Sequence, residues 1–278
     1  MNFSDLFRRL PHFRGKFRLA RILFAKQLKR SKNITIKGKF GLSYQLPNTV
    51  ENIGFEIFAD GVYEPGTISL ISSRLKKDGV FVDIGANIGS IAIPVCRQNP
   101  GAQAICIEAS PRVFACLQSN IAINELHNCT AVNAIVTDVD NDQADFYSPE
   151  ELFGKGSVTP VFTAVPEKTK SVSLDKLLSS MNIPGADLIK IDIEGHEYFA
   201  FKGAEQLLTT SGSPDIIFEF LDWAEALAPG LKAGDAQELL LQYGYQLYVV
   251  GNRNQLSKVT AALKKGEAMM LATKKTVC

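Results

Sequence analysis

The chain has 278 residues, 46% of them hydrophobic and 21% charged, with a formal net charge of +1. This is an ordinary globular balance: it excludes a fibrous or disordered chain, and its near-neutral charge creates no global field that would select nucleic acid. No apolar run approaches the ~20 residues that span a bilayer, and the N-terminus lacks the apolar stretch and small-residue cleavage site of a signal peptide.

At roughly 100–200 residues per domain, the length fits one large domain, 50–278, with an N-terminal extension, 1–49. Residues 1–32 hold ten Lys or Arg against one acid, Asp5. The simplest reading of this basic arm is a solvated, partly helical segment. The alternatives are contact with anionic lipid, with a polyanionic glycan or with another subunit of an oligomer. A strand-like piece follows at Ile34-Thr35-Ile36.

Beyond residue 50, apolar strands and helices alternate without a linker or an internal repeat. A helix is predicted over 67–77, after the Glu64-Pro65-Gly66 turn and before Asp78-Gly79. The first strand is Val80–Ile84, followed by a glycine turn and a helix over 88–96. The second strand is Gln103–Glu108. Ser110 then supplies an N-cap and Pro111 a first-turn proline, opening a helix that runs through residue 120. The third strand covers about 130–136. The next fifty residues, 137–186, are too long for a simple crossover. Their short alternating pieces at 144–148 and 171–174 predict an inserted hairpin or flap on the acceptor side, with Lys155-Gly156-Ser157 as contacts. Strands four and five fall at 188–193 and 216–220. A helix at 234–243 leads to an antiparallel closing pair, 245–250 with 268–273. The fold class is therefore α/β and Rossmann-like: a mostly parallel sheet, helices on both faces, and a ligand at the carboxyl ends of the strands.

The chemistry starts at Asp83-Ile84-Gly85-Ala86-Asn87-Ile88-Gly89, with Glu108 ending the next strand. Glycines let backbone amides approach a ligand, and a carboxylate after the second strand can grip both hydroxyls of a ribose. In the dinucleotide loop G-x-G-x-x-G the second glycine leaves room for a pyrophosphate, and Asn87 stands at that position. An adenosine ligand without a diphosphate fits better, with S-adenosylmethionine the first candidate. A nicotinamide-dependent oxidoreductase and a non-catalytic adenosine-binding scaffold are the competing readings.

A second constellation is Asp187-Leu188-Ile189-Lys190-Ile191-Asp192-Ile193-Glu194-Gly195-His196-Glu197. On a strand, Lys190, Asp192 and Glu194 share a face opposite the isoleucines. Buried charges need partners or a ligand, so Lys190–Asp192 reads as a structural ion pair and Asp192, Glu194, His196 and Glu197 as a site at the strand end. Helix-dipole compensation is the plainer reading of Glu194 and Glu197. His196 suits a general base near neutral pH, with Asp192 its rival; His12 and His127 lie elsewhere. Glu219, after Ile216-Ile217-Phe218, is another strand-end carboxylate, facing either the site or a base such as Lys202. Asp192, Glu194, Glu197 and Glu219 are oxygen donors of the kind Mg²⁺ or Ca²⁺ accepts, but their spacing fixes no coordination geometry and no metal is expected.

Cys96, Cys106, Cys116, Cys129 and Cys278 form no C-x-x-C pair and are odd in number. Cys106 and Cys116 read as reduced core residues. This fits a reducing, cytoplasmic location, with the basic arm offering peripheral contact with the inner face of the membrane.

These residues resemble the FkbM-type S-adenosylmethionine-dependent methyltransferases. The resemblance runs from about Ile53 to Glu219. It rests on Gly61-Val62-Tyr63-Glu64-Pro65, on 82–89, on Ile107-Glu108-Ala109-Ser110-Pro111, on Ser173-Leu174-Asp175 and on 190–197. It implies a class I methyltransferase fold with a seven-stranded sheet, and O-methylation of a hydroxyl on a sugar, glycolipid or secondary metabolite, with S-adenosylhomocysteine as product. It also implies that Asp83, Gly85, Ala86, Asn87 and Gly89 hold the methionine part of the cofactor. Glu108 would take the ribose, Glu64 would act as a lid residue, and Asp138 would meet the adenine. The 190–197 element would line the transfer site. The chemistry of the residues, rather than the resemblance, makes Asp192, Glu194 and His196 the catalytic candidates, since position 196 is not fixed in the family, and puts Glu197 and Glu219 on the small-molecule or glycan acceptor.

Overall fold

The N-terminal residues fold onto the domain rather than projecting from it. The computed structural model describes residues 3–276, so Cys278 lies outside the described residues. Helices α1 (Phe3–Arg9), α2 (Lys16–Leu23) and α3 (Ala25–Arg30) precede an antiparallel hairpin, β1 (Lys32–Lys37) with β2 (Ser43–Asn48), and then α4 (Asn52–Asp60). Phe7, Ala20, Phe24, Tyr44 and Leu46 are buried against Phe55 and Phe58 of α4, and the same cluster takes in Ile88, Ile93 and Val113. This corrects the reading of the arm as solvated. Two of its cations are buried: Lys16 Nζ lies 2.6 Å from Asp60 Oδ1, and Arg8 Nε donates to the Phe58 carbonyl at 2.8 Å. The apolar residues between the cations build a core of their own, which the charge count obscured.

The remaining elements are α5 (Pro65–Arg74), β3 (Val80–Ile84), α6 (Ala92–Gln98), β4 (Gln103–Glu108), α7 (Pro111–Ile123), β5 (Cys129–Asn133), β6 (Ile135–Val136), β7 (Asn141–Phe146) and β8 (Glu167–Val172). They continue with α8 (Leu174–Ser180), β9 (Leu188–Ile191), α9 (Glu197–Lys202), α10 (Glu205–Thr209), β10 (Asp215–Leu221), α11 (Asp222–Leu227), α12 (Asp235–Gln242), β11 (Gln246–Val250), β12 (Leu256–Val259) and β13 (Glu267–Thr273).

The main sheet has the order β12-β11-β13-β10-β9-β3-β4-β5. From β10 to β5 the strands are parallel, and β13 runs antiparallel between β10 and β11. The closing pair of β11 and β13 was legible in the sequence. Among the described residues the sheet has eight strands rather than seven, because β12 adds an antiparallel edge to β11. Both faces are covered. Val82, Ile84, Ile105, Ile107, Ile189 and Ile191 enter one core cluster, and Phe81, Ala104, Cys106 and Leu188 enter the other. That alternation is the period-two geometry of a strand buried on both faces. The strand order reverses beside β3: the chain leaves it for β4 and β5 on one side and returns through β9 on the other. A ligand crevice at the carboxyl ends is expected at such a reversal.

Two predicted elements change shape. The expected third strand breaks after Asn133, whose Nδ2 donates to the carbonyls of Glu108 and Ala109 at 2.8 and 2.9 Å. β6 then leaves the main sheet to pair with β8, giving a second sheet of order β6-β8-β7. Within 137–186, β7 and β8 pair antiparallel. The helix expected from residue 88 starts at Ala92, because the turn after β3 uses the intervening residues.

Candidate active site

Strand β3 gives way to the turn Gly85-Ala86-Asn87, and the amides of Gly85 and Ala86 donate to the Ile107 carbonyl at 2.9 and 3.0 Å. Gly85 has φ +78°, and a Cβ there would run into the Asp192 carbonyl, so the ends of β3 and β9 approach as only glycine allows. Asn87 is also left-handed, at φ +52°. Its Nδ2 donates to the Phe153 carbonyl at 2.7 Å and its Oδ1 accepts from the Ile88 amide at 2.8 Å. The side chain thus fills the place where bare backbone would have to receive a diphosphate, and it ties the turn to the insert.

Glu108 closes the other side of this turn. Its Oε2 accepts from the Asn87 amide at 2.9 Å and its Oε1 from the Ser110 amide at 2.8 Å. Burial pushes its pKa up to about 7, against the pull of those two amides. A carboxylate fixed by two backbone donors keeps its remaining lone pairs in one orientation, toward the cavity it borders.

That cavity has a volume of about 350 Å³, within the range of small-molecule sites. Gly85, Ala86, Asn87 and Glu108 form one wall, and Ala134, Ile135 and Val136 an apolar slot beside it. Tyr63 and Glu64 border it from the turn before α5, and Phe146, Phe153 and Lys155 from the insert. Lys190, Asp192, Glu194, His196 and Glu219 border it from the ends of β9 and β10 and the turn after β9.

Charges crowd at this end of the cavity. Glu194 Oε1 lies 2.5 Å from Lys155 Nζ, while its Oε2 is buried without a hydrogen bond. Burial raises the Glu194 pKa and Lys155 only partly offsets this. Glu219 is pushed up to about 7 by burial and by the nearby Asp192 and Glu194 carboxylates. Lys190 Nζ sits 3.3 Å from Asp192 Oδ2 and 3.7 Å from Asp83 Oδ1. Burial would depress the Lys190 ammonium, but Asp192 and Asp83 outweigh it and hold its pKa above the usual value. The expected Lys190–Asp192 pair is therefore present, with Asp83 as a third member. Three non-glycine residues on the cavity wall, Glu64, Asn87 and Glu194, adopt positive φ of +40°, +52° and +53°. Such conformations persist only where the surroundings enforce them, and they concentrate at functional sites.

Of the expected insert contacts, Lys155 and Gly156 border the cavity and Ser157 does not. Of the other thirteen residues, given a cofactor, catalytic or acceptor role, nine border it: Glu64, Gly85, Ala86, Asn87, Glu108, Asp192, Glu194, His196 and Glu219. The other four do not. Asp83 is fully buried below Lys190, and burial lifts its pKa to about 6 although Lys190 pulls it down. Gly89, at φ +84°, packs toward Ile93 and Leu117. Asp138 turns outward to Lys202 at 3.0 Å, because β6 has carried the chain onto the second sheet; Lys202 is thus not a partner of Glu219. Glu197 folds back to accept from the amides of Ile193 and Gly195 at 3.1 and 3.4 Å, bracing the turn from inside.

The histidine differs most from its sequence reading. Burial lowers the His196 pKa to about 4, with Asp138 only a partial counterweight. Its Nε2 is 3.2 Å from Thr137 Oγ1 and its ring stacks on Phe199 at 4.6 Å. An imidazole so reluctant to take a proton is a weak base at neutral pH.

Tyr63, Phe146, Phe153 and Glu51 border the cavity without having been assigned a role from the sequence. Glu51 had a local signal, since its carboxylate caps α4 by accepting from the Ile53 amide at 2.7 Å. Phe146 and Phe153 had none, because only the return of the insert over the Asn87 turn brings them there.

Comparison with known proteins identifies the family. The Methyltransferase FkbM domain profile matches residues 83–247. The hexuronic acid methyltransferase AglP of Haloferax volcanii is 26% identical over a match covering 52% of this chain and 58% of that protein, so the chain spans little more than half the relative's length. The 2-O-methyltransferase NoeI of Sinorhizobium fredii is also 26% identical, over 55% of this chain and 70% of that protein. Among solved structures, the precorrin-6y C5,15-methyltransferase of Geobacter metallireducens aligns at 16% identity with a TM-score of 0.44, covering 75% of this chain and 86% of the other.

Proposed function

Because the chain belongs to the FkbM methyltransferase family, we propose that it is an S-adenosylmethionine-dependent O-methyltransferase acting on a hydroxyl of a sugar, glycolipid or secondary metabolite. The observation that carries this reading is the presence, in one cavity, of an amide-anchored Glu108 beside a glycine turn and of the carboxylates of Asp192, Glu194 and Glu219. The names of the two relatives favour a sugar hydroxyl as acceptor.

The donor set fits an adenosine carrying an amino acid. Glu108 suits the ribose hydroxyls, the Ala134–Ile135–Val136 slot suits a flat base, and the turn at 85–87 suits the amino-acid end. The Asn87 side chain, held by Phe153, disfavours a dinucleotide and with it the nicotinamide alternative. When bound, the cofactor supplies an electrophilic methyl carbon on a sulfonium.

The protein's task is then alignment, and holding the acceptor oxygen in line can remove ~7–11 kcal/mol of barrier. Phe146 and Phe153 add apolar surface to the cavity lining. Lys190 and Lys155 hold Asp192 and Glu194 in place. Asp192, whose side chain is about one-third exposed, can accept the acceptor's hydrogen bond. The hydroxyl proton passes to Glu219 in this reading, since a base works best when its pKa lies near the working pH and that of Glu219 is about 7. Lys155 already gives Glu194 a cation, so the arrangement does not call for a divalent ion.

The test is methyl transfer to a panel of neutral, amino and acidic sugars, followed by mass. A mass gain of one methyl on a hydroxyl is expected. Cofactor binding without transfer to any hydroxyl would favour the scaffold alternative.

A further inference from the structure

We propose that the outer surface of α1 and α2 docks onto an anionic phospholipid bilayer. The proposal rests on residues that precede the family match and does not depend on the methyl-transfer reading.

Among the described residues, seventeen large apolar side chains are exposed, and seven of them fall within 3–23. Phe3 and Leu6 lie three apart on one face of α1, with Leu10 at i+7 just past its end; Leu19, Ile22 and Leu23 recur at i, i+3 and i+4 on α2. Phe3 and Ile22 are the most exposed of these, at 64% and 67%. The buried faces are different ones: Ser4, Phe7 and Arg8 on α1, and Lys16 and Ala20 on α2. Each helix therefore carries an exposed apolar stripe in addition to the face it buries against the core. A soluble helix needs only the buried face.

The charges around the exposed stripe are of one sign. Arg9, Arg14, Arg18, Lys26, Lys29 and Arg30 are all exposed. The sole acid in the first fifty residues, Asp5, is paired with Arg8 at 3.0 Å. Exposed apolar side chains rimmed by Lys and Arg are how an interfacial helix meets an anionic membrane: the apolar groups enter the acyl boundary and the cations meet phosphates. A protein partner would need a matching acidic face, whereas an anionic bilayer supplies the charge and the apolar layer together. No helix among the described residues is long and apolar enough to cross a membrane, so the contact is peripheral. The core beneath is rigidly tied, by Lys16–Asp60 and by Phe24 against Phe7 and Phe58, so the surface is presented ready-made.

The test is co-sedimentation of the full chain with vesicles of phosphatidylcholine alone or mixed with phosphatidylglycerol. Binding to the mixed vesicles only, weakening with salt, is expected. Arg14→Gln with Arg18→Gln should weaken it by about thirtyfold, at about fivefold per cation. Leu19→Ser with Ile22→Ser should weaken it by about tenfold or more. Both variants should keep the wild-type melting temperature, since all four side chains are exposed. No binding to mixed vesicles, equal binding to both kinds, or binding indifferent to both variants overturns the proposal. So does a dimer that Leu19→Ser with Ile22→Ser dissolves, which would make a second copy the occupant.

Discussion

Replacing Glu219 with Gln tests the assignment of the proton acceptor. The Glu219 carboxyl is held near pKa 7 by burial and by Asp192 and Glu194. A base must be ionised to act, so the rate should rise with pH. Its ionised fraction climbs from about one tenth at pH 6 to about nine tenths at pH 8, giving a limb of roughly tenfold in kcat. Glu219→Gln keeps the shape and the hydrogen-bonding oxygen but cannot accept the proton. It should lower kcat by about 10²–10⁴ and flatten that limb. His196→Asn is the control. With its pKa near 4, His196 does not titrate in this range, so the limb should survive its removal. The assay is initial-rate methyl transfer across pH at saturating cofactor, with binding checked separately. A Glu219→Gln enzyme that retains both its rate and its limb would refute the reasoning, as would a His196→Asn enzyme that loses the limb.

Two further substitutions test the buried charges. Lys190→Met should destabilise the fold by about 3–5 kcal/mol at pH 8, because Asp83 would be left buried without its nearest cation. The loss should shrink at pH 5, where Asp83 can take up a proton instead; urea unfolding at the two pH values measures this, and an equal loss at both would contradict it. Glu197 has its pKa raised to about 8 by burial despite its two amide donors. A carboxyl with a raised folded-state pKa weakens the fold as pH climbs from its unfolded value near 4.5 toward 8. Glu197→Gln should therefore gain stability relative to wild type across that window, by about 1–4 kcal/mol at its top. A difference independent of pH would mean that Glu197 ionises freely.

The central strands were legible because strands buried on both faces leave unbroken apolar runs: Val80–Ile84 and Gln103–Glu108 match their predicted bounds. The cavity was legible where a carboxylate ends such a run, as at Glu108, Asp192 and Glu219. Direction within the site was harder. Glu197 and Glu194 are separated by three positions, yet one braces the turn from below and the other borders the cavity, because Glu194 and Gly195 both take positive φ. The His196 environment depends on Thr137 and Phe199, which no local pattern links to it. The edge strand β12 is short and polar, LSKV, and has no periodic signal. In the N-terminal layer the cations drew attention from the aromatic residues between them, and Phe7, Phe24 and Phe58 meet only in the folded chain.

The most direct check on the whole account is calorimetric titration of the purified protein with S-adenosylmethionine, S-adenosylhomocysteine and NAD. Saturable binding of the first two, at one site per chain, with no heat from NAD is the predicted result. A chain that bound NAD and ignored both sulfur nucleosides would contradict the assignment of Glu108, Asn87 and the cavity between them.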